Sequence, residues 1–228
     1  MQRPRVVSLV PSVTETLVGW DVEPVACTRF CEQPGLVHVG GTKDPDVAAV
    51  VELAPDLVVV DEEENRREDA EALAAAGLAV HVLAVRDLAG LDEQMHHLAA
   101  AVGAGAAWEP LGPIAEPPAT RRAYVPIWKR PWMALGEPTY GSALLRALGI
   151  ANVAAGVGDG AYPLLDPDEA RRRGADLVIA PDEPYPFAER HRPQLEPAGP
   201  VVFVDGRDLL WWGIRTRPAL HRLAAVLR

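Results

Sequence analysis

Short apolar runs rich in Val, Leu and Ile recur along the chain, separated by longer stretches with helical spacing and capping residues at their starts. Val6 to Val10 is the first run; Pro11 ends it, and it reads as a buried strand. Ser12-Val13-Thr14-Glu15 has the spacing of a capping box, with Ser12 as cap, Glu15 reaching back and Gly19 near the helix end. Val25 to Thr28 predicts a second strand. Asp44 and Pro45 predict a helix start, with the acid as cap and the proline in the first turn. Leu57 to Val60 is continuously apolar and predicts a strand buried on both faces. Glu64 to Ala76 predicts a helix closed by Gly77, followed by a strand over Ala79 to Val85. Asp87 to Val102 predicts a longer helix. Gly103 to Thr120, rich in Gly, Ala and Pro, predicts an irregular connection. The alternation then resumes, with strands over Ala123 to Trp128, Leu177 to Ala180 and Val201 to Val204. Helices are expected over Thr139 to Leu148 and Pro218 to Leu227.

Strands alternating with helices predict an α/β fold with parallel, doubly wound sheets. Two lobes are expected because a local pattern repeats. Asp44-Pro45-Asp46-Val47-Ala48 leads to Asp56-Leu57-Val58-Val59, and Asp166-Pro167-Asp168-Glu169-Ala170 leads to Asp176-Leu177-Val178-Ile179. Each strand then runs into an acidic turn, Asp61-Glu62-Glu63 or Asp182-Glu183. The expected division is 1–86 for the first lobe, 87–120 for the connecting helix and linker, and 121–228 for the second lobe.

Composition narrows the role. The 228 residues carry 22 basic and 32 acidic side chains, a formal net charge of −10, which disfavours nucleic acid and anionic membrane surfaces as partners. No apolar run approaches the ~20 residues of a membrane span, so no stable membrane anchor is expected. The early apolar stretch is broken by Ser8, Pro11 and Ser12 and reads as a strand, not as a signal peptide, which makes a cytoplasmic location the expectation. The only cysteines are Cys27 and Cys31, which excludes a disulfide scaffold and reads as a thiol pair rather than a zinc site.

In parallel sheets ligands lie beyond the carboxyl ends of the strands, and two facing lobes would share one cleft there. Ser12, Thr14 and Glu15 follow the first strand; Arg29 and Phe30 follow the second, with Thr42 and Lys43 on the next turn. The second lobe contributes Trp128, Lys129, Trp132 and Tyr140, then Tyr162, Glu183, Tyr185, Trp212 and Arg215. Both lysines of the chain fall on these turns, and four of its six tryptophans lie at strand ends of the second half. Loop aromatics with polar neighbours suit a flat ligand. Lys43, Arg29, Lys129 and Arg215 would pair with its carboxylates or phosphates, and Glu15 and Glu183 would accept from amides or amines or contact a metal. No reaction is visible: His96 and His97 point about 100° apart on one helix, the glycines form no phosphate loop, and no serine sits in a nucleophile elbow.

Ser8-Leu9-Val10-Pro11-Ser12-Val13-Thr14-Glu15-Thr16 resembles the opening of the class III periplasmic binding proteins, the group of cobalamin-binding proteins and helical-backbone metal receptors. The likeness continues through Thr28 to Pro34, Val39 to Asp46, Leu53 to Val60, Ile127 to Met133, Glu183 to Phe187 and Asp205 to Gly213. It implies two Rossmann-like lobes joined by one long backbone helix, here Asp87 to Val102, with a ligand stacked on aromatics in a shallow inter-lobe cleft. Cobalamin or another metal chelate is the implied ligand; no resident cofactor or protein-bound metal is assigned. The aromatic positions that flank cobalamin correspond to Thr42 and Asp61 in the first lobe and to Tyr162 in the second. The permease-docking glutamates correspond to Ala48 and to Asp168 or Glu169, so an ABC permease is not the expected partner. The leading expectation is a cytoplasmic small-molecule-binding protein. The rivals are an enzyme reusing the cleft, with Glu15, Lys43, Glu183 and His191 as acid–base groups, and an ABC-importer receptor.

Overall fold

The computed structural model describes residues 3–227. The chain divides into two compact units: one comprises the residues up to Val85, Gly90–Leu111 and Trp212–Arg215, the other Arg86–Ala89, Gly112–Trp211 and the residues from Thr216 onward.

The first unit runs β1 (Val6–Ser8), α1 (Pro11–Gly19), β2 (Ala26–Cys27), β3 (Val37–His38), α2 (Val47–Glu52), β4 (Leu57–Asp61), α3 (Arg67–Ala75), β5 (Val80–Leu83) and α4 (Leu91–Ala101). Its five strands are parallel, in the order β3-β2-β1-β4-β5. Val7, Leu9, Val58, Val60 and Leu73 form its core. The continuous apolar run of β4 is buried as expected, because helices cover both faces of such a sheet.

The second unit contains β6 (Arg121–Tyr124), β7 (Pro126–Trp128), β8 (Met133–Ala134), α5 (Tyr140–Ala147), β9 (Ile150–Asn152), α6 (Pro167–Arg172), β10 (Leu177–Pro181), α7 (Arg192–Leu195), β11 (Val201–Val204), α8 (Gly206–Leu210) and α9 (Thr216–Val226). Its main sheet is parallel, in the order β11-β10-β6-β9, and β7 and β8 form a separate antiparallel ribbon. Tyr124, Val178, Ala180, Phe187 and Leu195 lie in its core.

Several boundaries differ from expectation. The helix α1 begins at Pro11, not after Ser12. Val10 is extended because it precedes a proline, and that proline occupies the first helical turn, so Ser12 falls inside the helix and makes no cap. In the two Asp-Pro-Asp repeats the same letters cap in different registers. Asp166 caps α6 with Pro167 behind it, and its carboxylate accepts from the Glu169 N–H at 2.7 Å. In the first unit Pro45 is held in a bridge with Gly40 and Asp44 pairs with Arg29. Asp46 therefore caps α2, accepting from the Ala49 N–H at 3.0 Å.

The helix expected over 87–102 starts only at Leu91, with Gly90 at the cap position. Its Leu91, Met95, Leu98 and Ala99 are buried at helical spacing, and it packs as part of the first unit. The strand expected over 123–128 is two strands: the chain leaves the main sheet after Tyr124, because Pro126 has no N–H to extend the ladder. β3, β8, β9, α7 and α8 were not expected; the first four span only two to four residues each, too short for a periodic signal.

Capping energetics should follow the observed registers. Asp46→Ala and Asp166→Ala should each lower stability in urea by ~1 kcal/mol. Asp44→Ala, which removes only an exposed ion pair, should cost less than ~0.5 kcal/mol. An Asp44→Ala loss equal to the other two would contradict this assignment.

Candidate functional site

The loops at the carboxyl ends of the first unit's strands are stitched together by a buried carboxamide. Asn65 Nδ2 donates to the Leu9 carbonyl at 3.1 Å and to the Thr42 carbonyl at 2.9 Å, and its Oδ1 accepts from the Asp61 N–H at 2.9 Å. One side chain thus joins the end of β1, the glycine turn and the end of β4. Asp61 in turn accepts from the N–H groups of Glu63 and Glu64 at 2.9 and 3.1 Å. Burial raises its carboxyl above the ordinary range, and these backbone donors oppose that shift.

The candidate side chains of this unit divide into buried and exposed groups. Thr14 is fully buried, and its hydroxyl lies within hydrogen-bond reach of Ser8 Oγ, the Val10 carbonyl and Cys31 Sγ. Ser12 and Trp212 are also buried. Glu15 neither caps α1 nor stands free: Arg215 grips both its oxygens, one through Nε at 2.9 Å. That pairing rests on a close backbone approach. Gly213 has φ +106, a side chain there would collide with Thr16, and the Ile214 N–H donates to Thr16 Oγ1 at 3.2 Å. Arg29 is held by Asp44 at 3.0 Å and lies 4.8 Å over the Phe30 ring, which is exposed. Lys43 is exposed and donates to the Glu63 carbonyl. The expected roles of Arg29, Arg215 and Glu15 toward a ligand are thus occupied by protein partners.

The second unit gathers aromatics. Trp128 is 42% exposed and meets Tyr185 edge-on, with ring centroids 5.6 Å apart at 79°. Tyr185 tilts against the buried Phe187 at 4.7 Å, and Trp132 stacks on that ring at 6.0 Å and 4°. His191, also buried, packs edge-on to Tyr185 and Phe187 and accepts at Nδ1 from the Ala188 N–H at 3.1 Å. Burial holds this imidazole below its ordinary pKa, helped by the charges of Arg190 and Lys129. Phe187 and His191 thus complete the cluster. The Tyr-Pro-Phe spacing was the signal that could have brought Phe187 forward.

Beside this cluster lies an open hollow of about 380 Å³, within the usual range for small-ligand sites, lined by Lys129, Arg130, Trp132, Asp166, Asp168 and Gln194 among others. Lys129 Nζ lies 5.9 Å from the Trp132 ring centre. Tyr140 is turned away: it is buried, with its hydroxyl 2.9 Å from Thr216 Oγ1. Tyr162 is half-buried on a glycine-rich turn.

Glu183 follows β10 against Gly206, where any side chain would collide with it. Burial, then the Asp182 carboxylate, push its carboxyl up to about 7; Arg207 and a hydrogen bond with Trp211 oppose the shift, and Asp205 adds to it. Among the described residues no group of three or more His, Cys, Asp or Glu side chains could hold a metal ion.

Residues 6–111 match the periplasmic binding protein family. No curated protein matches the sequence. The periplasmic vitamin B12 binding protein of Vibrio cholerae aligns over 98% of this chain and 96% of its own, with TM-score 0.80 and 16% identity. The periplasmic heme-binding protein from Roseiflexus sp. RS-1 aligns over 99% and 98%, with TM-score 0.78 and 20% identity. A periplasmic heme binding protein from Pseudomonas aeruginosa aligns over 97% and 92%, also with TM-score 0.78 and 20% identity. The chain therefore shares the α/β fold of these periplasmic binding proteins, as its motifs implied.

The raised pKa of Glu183 sets a pH dependence. Between its ordinary 4.5 and about 7 the folded chain holds a proton that the unfolded chain has released, so stability falls as pH rises through this window. Glu183→Gln should make the fall in urea midpoints between pH 4.5 and 7 shallower. Parallel profiles for the two proteins would contradict the assignment.

Proposed function

We propose that this chain binds a flat metal chelate of the corrinoid or porphyrin class, with Trp128 as its stacking surface. The observation that carries the reading is the exposed indole, held edge-on by Tyr185 and backed by buried Phe187. An aromatic fixed in this way offers a flat apolar face with little ordering entropy left to lose. Lys129 supplies a cation for acidic side arms of the ligand, and the hollow beside Trp132 offers room for them. Proteins of the same fold bind vitamin B12 and heme, which supports this ligand class.

Titration with cyanocobalamin and with hemin, followed by calorimetry and tryptophan quenching, tests the reading. At least one should bind saturably, and Trp128→Ala should weaken it by at least about tenfold, a change of 1.4 kcal/mol. Absence of a saturable calorimetric signal with both compounds would overturn the ligand class.

A second reading, an importer receptor, is supported by the family match over residues 6–111. Such a receptor works outside the cytoplasmic membrane, whereas a retained binder stays inside. Fractionation of cells expressing the native gene separates the two.

A further inference from the structure

A further extended segment joins the β7–β8 ribbon, and the face it completes is apolar. Residues 161–165 run antiparallel to β8. The Leu165 N–H donates to the Trp132 carbonyl at 3.2 Å, the Ala134 N–H to the Pro163 carbonyl at 2.9 Å, and the Gly136 N–H to the Ala161 carbonyl at 2.7 Å. The approach is close enough to require glycine at 136, where a Cβ would lie 2.7 Å from Pro163 and 2.9 Å from the Ala161 carbonyl oxygen.

Pairing sets which side chains share a face. Met133 stands opposite Trp128 on one side and opposite Leu164 on the other. Directly opposed residues of antiparallel strands project to the same face with Cβ atoms ~5 Å apart. The bonds that flank Met133 and Leu164 make theirs a non-hydrogen-bonded pair, the kind in which side chains stand closest. Trp128, Met133 and Leu164 therefore form a row across the ribbon, and Tyr162, two residues before Leu164, lies on the same face. Neighbouring strands are ~4.8 Å apart, so the row is about 10 Å long, the width of a tetrapyrrole ring. Leu164 is 66% exposed, more than any other large apolar side chain among the described residues, and Met133 is half-buried. An apolar row held in water on paired backbone marks a binding face.

The charges beside the row indicate its occupant. Lys129 and Arg130 follow Trp128 directly in the turn to β8. Neither is paired with a carboxylate among the described residues, whereas Arg146, Arg192 and Arg207 of the same unit are. Asp166 and Asp168 line the hollow beside them, but Asp166 is committed to the α6 cap. An apolar strip bordered by two free cations complements a flat molecule with a bare ring face and ionised acids along one edge.

We infer that Trp128, Met133 and Leu164 form a single ligand platform, and that with Lys129 and Arg130 it selects a carboxylate-bearing porphyrin over an amide-fringed corrinoid. The inference rests on the ligand reading above, which names both classes. A porphyrin lays an unbroken apolar face over all three side chains and sets its acids against the cations. The amides above and below a corrin ring hold it off the row and would lose water there without gaining partners.

Calorimetric titration of the full chain with hemin, hemin dimethyl ester and cyanocobalamin tests this. Hemin should bind at least about tenfold more tightly than either of the others. Leu164→Ser should weaken hemin by about tenfold, and Val226→Ser, at an exposed apolar position on α9, should leave it unchanged. In the double variant Lys129→Gln/Arg130→Gln the preference for hemin over its dimethyl ester should disappear. Thermal melts check folding; should Leu164→Ser fail to fold, Leu164→Gln, which keeps the side chain's length, is read in its place. Saturable binding of hemin that Trp128→Ala weakens and the Leu164 variant does not would overturn the platform and leave the ligand reading standing. Cyanocobalamin bound as tightly as hemin would refute the selection. A ligand-free dimer in sedimentation velocity that the Leu164 variant dissolves would assign the row to a second copy of the chain and defeat the inference. Silence with all three compounds would remove the ligand reading and the inference together.

Discussion

A parallel strand buried on both faces can present chemistry only at its ends. In this protein Val7, Val58 and Val59 of one sheet and Val178, Ile179 and Ala180 of the other are fully buried, so these central strands offer no face to a ligand. Polar and aromatic groups are consequently concentrated on the turns that leave the strands. These turns lack the ladder hydrogen bonds that order the strands, and other interactions must hold them.

In the first unit that order comes from side chains serving backbone. The Asn65 carboxamide satisfies carbonyls from two separate turns and an amide from a third position, and Asp61 caps the turn that follows its own strand. The Glu15–Arg215 pair adds a link between α1 and a segment 200 residues away in sequence. These polar contacts fix the loop face at the cost of side chains otherwise free to meet a ligand. In the second unit the order comes from ring packing around Phe187, which leaves the outermost ring, Trp128, in solvent. One loop face is held by hydrogen bonds and the other by aromatic contacts.

The unabsorbed chemistry is local and electrostatic. Glu183 keeps its proton to about pH 7 because burial and two neighbouring aspartates outweigh Arg207 and Trp211. Cys31 shifts in the opposite sense, because hydrogen bonds from Cys27, Thr14 and Thr28 outweigh its burial. Both groups lie at strand ends, where the fold concentrates whatever is not hydrophobic.

The buried strands and the α/β class were legible from the sequence, because continuous apolar runs such as those over 57–60 and 177–180 can be satisfied only by burial on both faces. The cap at Asp166 was legible for the same local reason: the acid and proline need nothing beyond their own helix. The identical letters at Asp44-Pro45-Asp46 gave the wrong cap, since Arg29 and Gly40, distant along the chain, claim Asp44 and Pro45 first. The loop positions of Trp128, Lys129 and Tyr185 followed from strand order. Tertiary packing alone turned Thr14 and Tyr140 inward, gave Arg29 and Arg215 carboxylate partners and brought Asn65 to three turns at once. Periodicity records whether a position is apolar; which distant group meets a polar side chain is decided only when the sheet brings the strand ends together.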